Sequence, residues 1–409
     1  MLIATMIASF LTLGPVQAFG VFQAHLSSED AVRDGLLRPQ QIQEKSLIAL
    51  IGSLANGGIV ALFGIWFVPK LPWIGSNIKY VCLAGSLLMS FSMAIGMAST
   101  ELWHLLLSEG LAFGVGSGIV ANTLPSILPE YFSTKSGLAQ GFVAAAGGMG
   151  GVFYSKLGDV LLTQRTQTAF LMFSLVGLYL SIFSTLLAQP ARNVSRRKTT
   201  MVDWSTLKNP SFCLFMVVNL LVPLTLRTPT SFGPIFGKSM GLSPSKAASI
   251  HAWMSLVGIP TRLVVGTMAD KAGHQNTCLL MTALCAATVL VIWLPAALTG
   301  NQTMWTVFMM GWGLINGTFL QLINSVGQRL FGPELYYSYN GTFTSLRGLG
   351  FVMGGPLAGA LLRHKTERME PRQFLPVIVC TGLAMLASTV SLVYVRILDA
   401  KKQGWKWAR

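Results

Sequence analysis

Six ionisable side chains stand inside stretches of sequence that are otherwise apolar: Glu109, Lys156, Asp159, Arg227, Arg262 and Arg347. A charge at membrane depth is costly, so it normally faces a cavity, a partner or water. The chemistry open to such groups is binding and proton transfer. Arg227, Arg262 and Arg347 can each hold an anionic group, because a guanidinium offers a fixed fork of donors to a carboxylate. A structural arginine capping backbone carbonyls is the plainer alternative for Arg262. Glu109 reads as a proton site or as a carboxylate snorkelling towards the membrane surface. Lys156 and Asp159, three residues apart, read first as a local or interfacial pair, with a coupling role as the alternative.

Other chemistry finds no residues to carry it. The chain contains no H-E-x-x-H, no P-loop and no G-x-S-x-G, and its five histidines are scattered. The five cysteines (Cys82, Cys213, Cys278, Cys285, Cys380) sit within apolar runs without metal-ligand spacing and read as small core residues. Catalysis, a bound metal and a cofactor are therefore not expected.

The elements that must position these residues are membrane helices. Ser46–Pro69, Tyr80–Thr100, Gly110–Pro129, Ser136–Ser155, Thr166–Ala191, Asn209–Leu226 and Gln373–Val395 contain no Lys, Arg, Asp or Glu. A spanning helix needs about 20 apolar residues, and only helices or closed barrels satisfy the backbone in hydrocarbon. These runs are helical in length and lack strict alternation. Composition agrees: 52% of residues are hydrophobic, 11% are charged and the mean hydropathy is +0.59. Twelve helices are expected, near 1–24, 45–68, 79–99, 103–128, 136–162, 167–190, 210–236, 246–268, 277–298, 303–328, 337–362 and 373–398. The first starts at Met1 without a basic region or a small-residue cleavage site, so it reads as a span rather than a signal peptide.

An even number of spans puts both termini on one side. With the termini inside, inner loops and tail hold 15 Lys and Arg against 10 outside, which favours cytoplasmic termini. The basic loop near 363–372 runs against this bias. The formal net charge of +15 is read as anchoring to anionic lipid, because no basic helix or aromatic-basic module points to nucleic acid.

The longest inner loop carries Arg192, Arg196, Arg197 and Lys198 and divides the chain. The expected domains are a six-helix bundle over 1–190, a cytoplasmic linker over 191–209, a second bundle over 210–398 and a tail over 399–409. The halves resemble each other at an offset near 200. Gly150, Val152, Leu161 and Leu162 match Gly350, Val352, Leu361 and Leu362. Gly64 matches Gly266, and Trp103 matches Trp305. This pattern resembles the duplicated six-helix architecture of the major facilitator superfamily: an all-α membrane protein with twelve helices in two pseudo-symmetric bundles.

Gly266-Thr267-Met268-Ala269-Asp270-Lys271-Ala272-Gly273 resembles that superfamily's inter-helix signature, G-x-x-x-D-[RK]-x-G. Gly266 lets helices approach and Gly273 permits a tight turn. Asp270 can accept from a neighbouring helix N-terminus or an arginine and lock the inner gate, with Lys271 beside it. The first-half copy is degenerate, with Val68 in place of the acid. Tyr131-Phe132-Ser133-Thr134-Lys135-Ser136-Gly137-Leu138-Ala139-Gln140-Gly141, followed by a Gly/Ala run, resembles helix five of the monocarboxylate-transporter-like family, fungal members in particular. Gly14, Phe19-Gly20-Val21-Phe22, Gly114, Gly116 and Gly118 also fit, and the resemblance covers nearly the whole chain.

That resemblance implies that Arg262, in Pro260-Thr261-Arg262, binds a substrate carboxylate. It also exposes two departures. Gln17 aligns with the family's helix-one lysine, and Gly258 with the aspartate four residues before the arginine. Those charges serve proton and substrate coupling in the family, so their absence argues against proton–lactate symport. Gln17 joins Arg262, Arg227 and Arg347 as a candidate substrate-binding residue. Glu109, Asp159 and Lys156 are candidate coupling groups.

The expected function is secondary active transport by alternating access, without ATP. The expected cargo is a small organic, anionic compound such as an acidic secondary metabolite, moved outwards. Uptake of a monocarboxylate or vitamin-like nutrient, and a transporter-like sensor that moves nothing, are the alternatives. The expected setting is the plasma membrane. Lipid is the expected surrounding, with neither nucleic acid nor an obligate protein partner implied.

Overall fold

The computed structural model describes residues 1–58, 77–132, 136–162, 164–189, 204–362 and 370–404. Among them the regular structure is helical, and we label the long helices in chain order. They are α1 Leu2–Leu26, α2 Lys45–Ser53 with a π turn over Leu54–Gly58, and α3 Ile78–Gly96. α4 joins Leu102–Leu105, a π segment Leu106–Ala112 and Phe113–Tyr131. α5 is Ser136–Leu162 and α6 Thr166–Leu187. α7 is Pro210–Ser239, interrupted at Arg227, and α8 is Pro244–Ala272. α9 is His274–Thr299, and α10 is Gln302–Phe331, interrupted at Asn316 and Gly317. α11 is Pro333–Leu361 and α12 Leu375–Gln403.

Each helix falls on an expected span, with ends shifted by a few residues. The later part of the second span, residues 191–203 of the expected 191–209 linker, the loop over 363–369 and the signature's first-half copy around Gly64 and Val68 lie outside the described residues.

Local chemistry sets the boundaries. Asn209 and Asn301 accept from backbone N–H groups at the starts of α7 and α10, and Ser243 does so for α8. Gly273, at φ +94°, makes the corner between α8 and α9 that a side chain would strain.

Among the described residues, nine helices are long and apolar enough to cross a membrane. Large apolar side chains, such as Tyr80, Phe91, Tyr179, Leu186, Val291 and Val390, cover the outer surface. A surface of that kind belongs in lipid.

Inside the bundle, lipid offers no hydrophobic drive between helices, so close packing must hold them. Two cores result. One unites buried residues between Ala4 and Ala188, with Phe22, Tyr154, Phe170 and Phe173 in ring contact. The other spans Phe212 to Leu392 and adds Ala49 of α2. At its centre Phe236, Trp293, Trp305, Phe308 and Trp312 stack, each pair contributing about 0.5–1.5 kcal/mol beyond area.

The repeat seen in sequence reappears as equivalent contacts. A Cβ on Gly150 would lie 2.5 Å from the Phe10 carbonyl oxygen of α1, and one on Gly350 would lie 2.6 Å from the Leu220 carbonyl oxygen of α7. The tryptophan match differs in environment: Trp103 is 53% exposed and Trp305 is buried.

Candidate functional site

The two halves meet along α5 against α8, α1 against α7, and α2 against α11. Between them lies a cavity of about 210 Å³. Arg227, Arg262, Arg347 and Gln17 all line it. No Asp, Glu or Lys lines it among the described residues.

Arg227 stands where α7 breaks. Pro229 has no N–H to give the helix, and its ring crowds the carbonyl of the preceding turn, so regularity stops at residue 227. The interruption points the guanidinium across the junction between halves, where Nη2 donates to Asn56 Oδ1 of α2 at 3.0 Å. Its Nε is buried without a hydrogen-bond partner.

Arg262 is 4% exposed. Its Nη1 donates to the Ala144 carbonyl oxygen of α5 at 2.6 Å, again across the junction, and its Nε has no partner. Two glycines make its seat. A Cβ at Gly148 would lie 3.1 Å from the guanidinium carbon, and one at Gly317 would lie 2.9 Å from it. Gly317 belongs to the interruption in α10, a feature that sequence reading missed; the adjacent Asn316-Gly317 pair was its only signal.

Arg347 is seated differently. It donates to Asn324 Oδ1 at 2.9 Å, Asn340 Oδ1 at 3.0 Å and Thr344 Oγ1 at 2.9 Å. The Tyr336 hydroxyl lies 2.9 Å from Asn324 Oδ1 and 3.0 Å from Asn340 Oδ1, and its one proton can be donated to either. The cage is neutral, so it orients the cation without cancelling its charge. Asparagines carry little signal in a sequence, and neither Asn324 nor Asn340 was foreseen.

Gln17 is buried and donates to the Gly147 carbonyl at 3.3 Å. Its backbone carbonyl oxygen lies 2.9 Å from His251 Nε2 of α8, a third polar bridge between the halves. His251 is fully buried with Nδ1 unpartnered, and sequence reading had assigned it no role. The second departure has a steric cause. Gly258 packs against the Gly313 carbonyl of α10, leaving no room for the aspartate that the resemblance leads one to expect.

The structure does not gather the other candidates here. Glu109 lies in the π segment of α4, beside a separate apolar cavity of about 40 Å³ lined by Pro15, Phe19, Ile51 and Phe113 among others. Its Oε1 is buried without a partner, so it does not snorkel freely. Lys156 is exposed, Asp159 is half-buried, and no ion pair joins them. The expected local pair is not made. Spacing on one helix permits such a contact without enforcing it.

The Gly266–Gly273 motif lies against Gly137 at the start of α5, at the end of the bundle where Met1 packs on Leu128, Ala139 and Val143 and where Gln275 donates to Asp399 near the C-terminus. Both Asp270 oxygens accept from the first turn of α5, from Gly137 N–H and Leu138 N–H at 3.1 Å each. The positive end of the helix dipole adds to these bonds. Gly266 makes the approach feasible: a Cβ on Gly266 would lie 2.5 Å from the Gly137 carbonyl oxygen. Lys271 is exposed and makes no ion pair among the described residues. The arrangement can fasten one half to the other at this end.

Comparison with known proteins places this architecture. Over 406 residues the chain is 27% identical to the agnestins efflux protein AgnL12 of Paecilomyces divaricatus, covering 97% of this chain and 86% of that one. It is 22% identical over 421 residues to the riboflavin transporter MCH5 of Saccharomyces cerevisiae, covering 97% and 78%. It is 23% identical over 387 residues to the aspyridones efflux protein apdF of Emericella nidulans, covering 93% and 76%. A crystal structure of the nucleoside transporter NupG superposes with a TM-score of 0.66 at 15% identity, covering 96% of this chain and 99% of that one, which supports the fold alone. The family model described as Major Facilitator Superfamily matches residues 4–355. A chain with these helices, this central cavity and this match is a multi-pass membrane transporter that belongs to the major facilitator superfamily.

Proposed function

We propose that this transporter moves a small acidic organic compound outwards, by alternating access and without ATP. One observation carries the reading. Three buried or half-buried arginines face one cavity at the junction of the halves, with no carboxylate lining it among the described residues. Holding guanidinium groups away from water costs several kcal/mol per ion unless they are compensated. An anionic cargo supplies the missing charge each time it binds. Arg262 is its principal contact, with Arg227, Arg347 and Gln17 around it.

Movement follows from the two-half design. The domains are residues 1–190 and 210–398, and the Asp270 bonds to α5 form the gate at the termini-bearing end. That end faces the cytoplasm of a cell whose plasma membrane holds the protein. Glu109 is the remaining candidate for proton coupling.

Export is favoured by relatives whose names record efflux of agnestins and aspyridones. Uptake of a carboxylate or vitamin-like nutrient is the second reading, favoured by the riboflavin transporter among the relatives. Efflux from cells separates them. Cells expressing the chain and loaded with labelled benzoate lose it faster than control cells if the protein exports acids. Accelerated entry with unchanged exit supports uptake, and unchanged flux in both directions with surface expression intact rejects both for this class of compound.

A further inference from the structure

The three arginines are not equivalent. Arg347 donates from Nη1 and Nη2 to Asn324, Asn340 and Thr344, all within its own half. Arg227 and Arg262 each reach across the junction to one neutral oxygen of the other half, Asn56 Oδ1 and the Ala144 carbonyl. All three keep a buried Nε with no hydrogen-bond partner, so what sets Arg227 and Arg262 apart is that their bonds cross between the halves. Arg227 and Arg262 line the same cavity. Neither has an acidic partner among the described residues.

A neutral oxygen is a weaker acceptor for a guanidinium than a carboxylate is. Each arginine therefore holds a partner that an anion can displace. A monoanion relieves one of them and leaves the other bridging the halves.

We propose, building on the acidic-cargo reading, that Arg227 and Arg262 form a two-point anion site, and that the preferred cargo is an organic dianion whose acidic groups replace Asn56 and Ala144 as acceptors. Binding then removes both arginine bridges at once. Occupancy of the site loosens the junction that must open for transport, so a dianion is both the better-held ligand and the better-moved one.

The test compares benzoate with phthalate, which share a ring and differ by one carboxylate. The full-length protein is purified in detergent, and its thermal unfolding is followed at matched ionic strength and pH 7.5. Phthalate is expected to stabilise it at concentrations roughly tenfold to a hundredfold lower than benzoate, the worth of one added charge-assisted contact. Arg227→Gln should reduce phthalate to the level of benzoate, whereas Arg262→Gln should weaken both. Asn56→Ala, which removes the competing acceptor and no charge, should leave phthalate binding as tight or tighter. Equal potency of the two acids in the wild-type protein would overturn the two-point site while sparing the acidic-cargo reading. Weaker phthalate binding in Asn56→Ala would overturn it too. If neither acid stabilises the wild-type protein, the acidic-cargo reading falls with it.

Discussion

Replacing Asp270 by asparagine removes one negative charge from the contact between α8 and the start of α5. The carboxylate accepts two backbone hydrogen bonds at 3.1 Å each, at the positive end of a helix of 27 residues. A hydrogen bond to a charged group contributes about 1.5–3 kcal/mol, and the helix dipole adds roughly 0.3–1 kcal/mol. Asparagine keeps one acceptor oxygen and turns the other position into a donor facing an N–H. The closed arrangement at this end should lose about 2–4 kcal/mol, which moves an equilibrium roughly 30- to 700-fold at 1.4 kcal/mol per decade. Spin labels on Lys79→Cys and Lys271→Cys, both exposed positions on different halves, report the separation by pulsed electron resonance. Asp270→Asn should shift the distribution towards longer distances, and Asp270→Ala should shift it further. Unchanged distributions in both variants, with the protein folded, would refute the idea that this carboxylate fastens the halves.

Further outcomes follow from other contacts. Arg262→Ala should weaken anion binding on the order of tenfold to a hundredfold, with Arg262→Lys restoring only part of it because a point charge replaces a fork; wild-type affinity in a folded Arg262→Ala protein would remove the assigned role. Gly317→Ala should impair binding without altering charge, since its Cβ meets the Arg262 guanidinium; unaltered dissociation constants would show that the seat is slack. Glu109→Gln should leave thermal stability unchanged or raised, because a buried oxygen without a partner holds nothing together; a marked loss in melting temperature would reveal a partner. Asp34 lies outside the spans. Burial works to raise its carboxyl pKa, but hydrogen bonds from the Thr166 hydroxyl and backbone N–H, together with His25, hold it below the usual value. A lowered pKa means stabilisation that is present above about pH 4 and lost as pH falls through the folded value. Melting curves should therefore separate Asp34→Asn from wild type at pH 7 and converge in acid once the pH is below the folded pKa; a gap that persists when the carboxyl is protonated would assign the effect to shape rather than charge.

Much of this arrangement was legible in the sequence because lipid makes charge conspicuous. Arg227, Arg262 and Arg347 stand out in apolar runs, and one cavity collects all three. The break at Arg227 follows from Pro229, two residues on. What stayed hidden were neutral contacts. Asn56, Asn324 and Asn340 hold the arginines, yet an amide in a helix differs little from any other polar residue. Gly317, at the interruption of α10, leaves room for the Arg262 guanidinium, a neighbour that lies on another helix. Glu109 was visible as a charge, but its separation from the arginines depends on the packing of α4 against α1 and α2, which no spacing rule encodes.

The central claim is that anions bind among these arginines and cross with the movement of the two halves. Counterflow in proteoliposomes without ATP tests it most directly. Vesicles loaded with unlabelled phthalate should accumulate labelled phthalate transiently, and Arg262→Ala vesicles of equal protein content should not. Labelled phthalate and benzoate entering no faster than into protein-free vesicles, or entering equally well through Arg262→Ala, would contradict the account.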